Sequence, residues 1–410
     1  MRMSPYRVVL GLPGVRGLIL LGFFARIPAT AVGIALTLHV VNALHRGYGA
    51  AGLVTAAYTI GAAAGSPLVG RFIDRRGARP VVAATTLVQV ACWAAAPTLP
   101  YPVLLGVAAF AGLFSLPVWG LVRQSLSAMV PEEHRRPAFA LDSMAVEVSF
   151  MIGPATAVAL STTIGTRPAI LMIGTGLLLA GALLFVMNPP VRPEGVDPAE
   201  PVPPRRTWIG PPLVAILVAG CVAAFILSGT DLTIVATLRD ARATSLTGVV
   251  IALWCTYSLI GGLIFGGLRR GVPVLALVAA MGLLTAPVGL APNWQLLCLA
   301  LIPSGVLCAP TIATANDTLS RLVPVQSRGE AMGWFSSALT AGTSLGAPFA
   351  GLVIDHAGPR GAFAAAGVLG ALAALVAYPA SRRRSRTVTG SPLDTPPPLA
   401  LSAAGDAERA

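Results

Sequence analysis

The sequence predicts an all-α membrane protein of twelve transmembrane helices arranged as two six-helix bundles, and three observations carry that prediction. Only 11% of the residues are charged and 55% are hydrophobic, with a mean hydropathy of +0.78. A water-facing surface of mixed charges cannot be built from this material, which excludes a soluble multidomain enzyme. The 410 residues divide into twelve units of about 34, each able to hold a bilayer span of roughly 20 apolar residues and a loop. The third observation is an internal repeat. Shifted by 193, the stretch from Pro117 falls without a gap on the stretch from Pro310, so that Pro117 meets Pro310, Pro131 meets Pro324, Arg135 meets Arg328 and Gly153 meets Gly346. Six spans repeated in parallel are the plan of a two-bundle membrane protein.

Apolar runs bounded by Arg, Pro and Gly place the spans, in order, at 17–41, 49–71, 80–97, 102–122, 140–162 and 168–187, then at 213–236, 246–268, 272–290, 295–317, 331–355 and 360–379. The expected organisation is a first bundle at 1–187, a proline-rich charged linker at 188–212, a second bundle at 213–380 and a disordered tail at 381–410. An even number of spans puts both termini on one side. All 28 basic residues are arginine. With the termini in the cytoplasm, 22 of them are cytoplasmic, Arg46, Arg167, Arg239, Arg242 and Arg360 are outside, and Arg26 is within the membrane. The positive-inside rule therefore predicts a multi-pass protein of the inner (plasma) membrane with both ends cytoplasmic. The same scatter of arginine between apolar segments argues against nucleic acid as a partner. The five cysteines all lie in apolar segments and are expected to be reduced, and the four histidines make no metal-ligand spacing.

The sharpest motif is GRFIDRRGAR, Gly70 to Arg79, in the loop joining spans 2 and 3. It resembles the signature of the major facilitator superfamily: glycine, three residues, Asp-Arg, one residue, glycine, one residue, arginine. Gly70, Asp74, Arg75, Gly77 and Arg79 occupy those positions. The resemblance implies a transporter in which Asp74 helps latch the halves on the cytoplasmic side near the start of span 11, while Arg75 and Arg79 anchor the turn. A helix N-terminus carries partial positive charge that suits a carboxylate. Arg269 to Gly271 repeats the RRG of the loop, but Leu268 stands where the acid would be, so the latch is expected to be asymmetric. Gly153-Pro154 in span 5 resembles part of the signature of drug/proton antiporters of the superfamily. By itself the pair also bends a helix and admits a close neighbour.

Charges inside the bilayer carry the functional reading, since each costs roughly 2.5 to 3.5 kcal/mol on insertion scales unless it meets a partner or a cavity. They are Arg26, Asp142, Glu147 and Asp231. Arg26 and Glu147 each lie about ten residues into a span, roughly 15 Å deep, which permits a pair across the first bundle. Arg123 and Asp142 sit at facing ends of spans 4 and 5 and form a second candidate pair. Glu147 is read as a protonatable coupling site or as half of a structural pair. Asp231, Tyr58, Trp119, Trp254 and Tyr257 are candidates for the wall of a substrate cavity, the aromatics by stacking on a flat cation.

Together these readings predict a monomeric secondary active transporter in the lipid bilayer. It exports a small amphipathic or drug-like molecule in exchange for protons by alternating access, with no cofactor. No G-x-x-x-x-G-K loop is present for ATP, and no catalytic constellation accompanies the spans. Uptake or facilitated passage of a sugar or organic anion is the first alternative, and a non-transporting sensor or scaffold the second.

Overall fold

The computed structural model describes residues 4–193, 203–243, 246–266 and 272–382. Leu268, the second RRG and the C-terminal tail lie outside the described residues. Every regular element among those described is helical. A short helix, α1 (Ser4–Gly11), precedes the spans. In the first half follow α2 (Val15–Asn42), α3 (Tyr48–Arg76), α4 (Ala78–Ala95), α5 (Tyr101–Leu113), α6 (Val118–Met129), α7 (Arg135–Thr163) and α8 (Thr166–Met187). A short α9 (Arg205–Trp208) leads into α10 (Pro211–Asp240), α11 (Thr247–Gly266), α12 (Val274–Thr285), α13 (Trp294–Leu322) and α14 (Arg328–Arg382).

Ten helical segments are long and apolar enough to cross a membrane, and α12 with its following turn, 274–290, is a shorter apolar helix. The 55-residue α14 is interrupted at Gly358, whose φ of 70° and ψ of 178° leave the helical region. It therefore contributes two spans, and the total is twelve. Span 4, expected to be continuous, is broken between α5 and α6, where Pro117 cannot supply the N–H that continuation would need. Span 5 begins at Arg135 rather than 140, and span 10 continues to Leu322, so Asn316 and Asp317 lie buried inside a helix instead of at its end.

Three apolar cores hold the helices, two in the first half and one in the second. Leu and Val side chains on the outer faces stay exposed, for instance Leu179 and Val376, which suits lipid rather than water. Small residues let the helices approach. A Cβ on Gly61, Gly65 or Gly112 would strike backbone of the facing helix in the α3–α5 contact.

The halves meet through two antiparallel crossings. In one, α3 runs against the first part of α14: Gly70 faces the Gly329 carbonyl, and the Ser337 hydroxyl donates to the Ala63 carbonyl at 2.5 Å. In the other, α7 runs against α11, with Ala140 beside Gly266 and Met144 beside Gly262. Both crossings lie toward the face from which the chain enters its first span, here termed the termini face.

Candidate functional site

At the termini face, Gly77 makes the turn from α3 to α4 at φ 80°, a conformation that glycine adopts without penalty. That turn sets Asp74, at 2% exposure, against the start of α14. Its Oδ1 accepts from the Gly329 N–H at 2.9 Å, its Oδ2 from the Glu330 N–H at 2.8 Å, and Gln124 Nε2 donates to Oδ1 at 2.7 Å. Two orphan amides of a long helix are thereby satisfied by a carboxylate from the other half. Arg79 donates to the Phe185 carbonyl at 3.3 Å and tacks α4 to α8, while Arg75 is exposed.

The linker ends at the same place. Arg192 donates to the Asp74 carbonyl. Arg205 meets Glu330 at 2.5 Å, and the far oxygen of Glu330 is 3.8 Å from Arg71. Across the face, Arg321 of α13 is bound to Asp317 at 3.0 Å and to the Glu132 carboxylate at 3.4 Å, and Glu132 is shared with Arg135. Sequence reasoning missed this second ionic contact between the halves. Its signal was the cluster of Glu132, Arg135, Asp317 and Arg321 at repeat-related loops.

Deeper in the first half, a charged triad is sealed among α2, α6 and α7. Arg26 Nη2 lies 2.7 Å from Asp142 Oδ1, and Arg123 Nε lies 3.3 Å from Oδ2. All three side chains are at most 3% exposed. The Arg26 guanidinium also stands 5.1 Å over the Trp119 ring, which stacks on the exposed Phe150 at 5.7 Å. The pair expected between Arg26 and Glu147 is therefore not the one formed. Glu147 is five residues beyond Asp142, about 140° around the helix, and points at the other half.

There Ser258 of α11 donates to Glu147 Oε1 at 3.0 Å and accepts from the Ala309 N–H of α13 at 3.1 Å. Ser258 was not foreseen. Ser258 closes a run of three hydroxyl residues, Thr256 to Ser258, in an otherwise apolar span, and that cluster was the available signal. Asp231 on α10 of the second half is exposed. Gly153 and Pro154 act on packing: a Cβ at 153 would come within 1.9 Å of the Thr30 hydroxyl, so the glycine admits α2.

Among the aromatic candidates, Trp254 is 4% exposed and belongs to the core of the second half rather than to a cavity wall. Tyr58 is half-buried against Trp93, 6.0 Å between rings. Tyr257 is half-buried beside Gly305, and Trp119 is half-buried. Among the described residues, no group of three or more His, Cys, Asp or Glu is placed to hold a metal ion, and the five cysteines are free.

The sequence profile of the Major Facilitator Superfamily matches residues 18–273 and 267–405. The chain belongs to that superfamily. No curated protein sequence matches it. Its fold resembles the human organic anion transporter MFSD10 (TETRAN), with a TM-score of 0.67 at 17% identity, covering 91% of this chain and 99% of the other. It also resembles a bacterial homologue of the iron transporter ferroportin in an outward-facing state, with a TM-score of 0.70 at 16% identity over 90% and 98% of the two chains. Superfamily membership identifies the chain as a membrane transporter.

Proposed function

We propose that this transporter is a proton-coupled antiporter that exports a small amphipathic or drug-like cation by alternating access. The observation that carries the reading is the Glu147 carboxylate. It sits on one half and is held by a hydroxyl from the other, at 3.0 Å. A carboxylate accepts that bond more strongly than a neutral carboxyl, so proton binding loosens a contact that the rocking motion must break. The exposed Asp231 of the second half gives a cation its counter-charge. The latch between Asp74 and α14 is the cytoplasmic gate in this reading, the termini lie in the cytoplasm by the arginine distribution, and the unit is a monomer in the inner (plasma) membrane.

Everted membrane vesicles carrying a proton gradient test it. Lipophilic cations and antibiotics are added one at a time while lumen pH is read, for the parent and for Glu147→Gln. A compound that collapses the gradient only with the parent supports proton-coupled export through Glu147. If no compound acts with either protein, the antiport reading falls in favour of narrow metabolite transport or of a silent sensor.

A second reading, passage of an organic anion, draws on the net positive charge of the Arg26, Asp142 and Arg123 triad. It is the weaker one, because all three groups are sealed and Asp142 already occupies both arginines. Radiolabelled organic anion uptake that Arg26→Lys abolishes without loss of folded protein would favour it.

A further inference from the structure

The helix that precedes the first span crosses from one half to the other. Tyr6 and Val9 of α1 are 4% and 0% exposed and belong to the core of the first half. The hydroxyl of Tyr6 leaves that core and reaches α11 of the second half. It lies 2.7 Å from the Leu263 carbonyl and 3.0 Å from the Gly262 carbonyl. The Leu263 carbonyl belongs to α11.

Room for this contact depends on one residue. A Cβ on Gly266 would come within 2.3 Å of the Tyr6 hydroxyl oxygen. Leu263 itself packs, half-buried, against the same first-half core as the Tyr6 ring. The crossing of α7 with α11, Ala140 against Gly266, lies directly alongside.

We infer that α1 is a latch holding the two bundles together on the termini face, with the Tyr6 hydroxyl as its bolt. Parting of the halves on this face draws α11 away from the first-half core and must break the bond. The latch is independent of substrate and coupling ion, and it sits outside the spans where the N-terminal segment can be pulled away. Burial raises the Tyr6 phenol from 10.0 to about 12. The hydroxyl therefore stays a donor at every pH at which a cell lives, and the latch answers to movement of α1 rather than to pH.

The test uses the full chain in lipid nanodiscs with its five cysteines replaced. Spin labels are placed at Arg76→Cys, exposed at the end of α3, and Val272→Cys, exposed before α12, and the distance distribution is read by pulsed electron resonance. Tyr6→Phe keeps the ring in its core and removes only the hydroxyl. Losing a hydrogen bond of ordinary strength is expected to raise the ratio of long to short distances roughly fivefold. Deleting residues 2–11 is expected to raise it further. An unchanged ratio in Tyr6→Phe overturns the inference, whatever the deletion does, since packing of α1 alone would then account for its place.

Discussion

Asp142 and Glu147 stand on one helix, about 7.5 Å apart along its axis at the usual rise per residue, and their surroundings differ in kind. Asp142 is gripped by two arginines from two other helices of its own half. Glu147 has a single neutral donor, and that donor belongs to the other half. A buried carboxylate between two guanidinium groups is held in position, because removing its charge would leave two cations in an apolar core. One hydroxyl imposes no such constraint. Two acids that look alike in the sequence thus divide between a strut within one bundle and a contact between the two bundles.

The largest expected effect breaks the strut. Asp142→Asn leaves Arg26 and Arg123 buried beside a neutral amide and is expected to cost about 3 to 5 kcal/mol, seen as loss of monodisperse protein and a steep drop in melting temperature. A melting temperature close to that of the parent would show that Asp142 is no strut. Glu147→Gln is expected to do the opposite. An amide oxygen still accepts from Ser258, so stability should stay within about 1 kcal/mol while proton-driven exchange in vesicles falls at least about tenfold. Exchange at the parent rate would remove Glu147 from the coupling path.

Ser258→Ala sharpens the contrast at smaller scale. It takes the donor from Glu147 and the acceptor from the Ala309 N–H, and exchange is expected to fall about fivefold with a stability loss of about 1 kcal/mol. A collapse as deep as that of Asp142→Asn would make both acids structural. Arg123→Lys is expected to give the least change, about 1 kcal/mol in the same melting experiment. It keeps the charge and loses only the planar Nε donor that reaches Oδ2. A larger loss would mean that the strut depends on the geometry of the fork more than on charge.

The spans and their repeat were legible because apolar runs of about twenty residues, bounded by arginine and proline, fit a bilayer and little else. The depth reading set Arg26 and Glu147 at one level, and the pair drawn from it is not formed, since Arg26 meets Asp142. Azimuth was not legible. Where all faces of a helix are apolar, periodicity cannot say which way residue 147 points, and the five-residue offset from Asp142 sent it to another neighbour. Trp254 went to the core for the same reason. The break before Pro117 was passed over because the run around it is apolar throughout, and the extension of α13 past Asp317 because its polar residues read as a helix end. The motif around Asp74 was easier, since its turn is local and its distant partner is a helix N-terminus, which suits a carboxylate whatever side chains lie there.

The crossing of α3 with α14 rests on glycine at two levels, Gly70 against Gly329 and Gly333 against Ser66. A β-carbon on Gly70 would come within 2.1 Å of the Gly329 carbonyl oxygen, and one on Gly333 within 2.4 Å of the Ser66 oxygen. At these contacts backbone meets backbone, while the Ser337 hydroxyl and the Asp74 carboxylate bridge the same crossing by hydrogen bonds that separation must break. A single methyl group placed there is therefore a wedge. Alanine at position 70 fits only where the two helices have moved apart, which makes it a practical means of trapping the opposite conformer for structural and ligand-binding work.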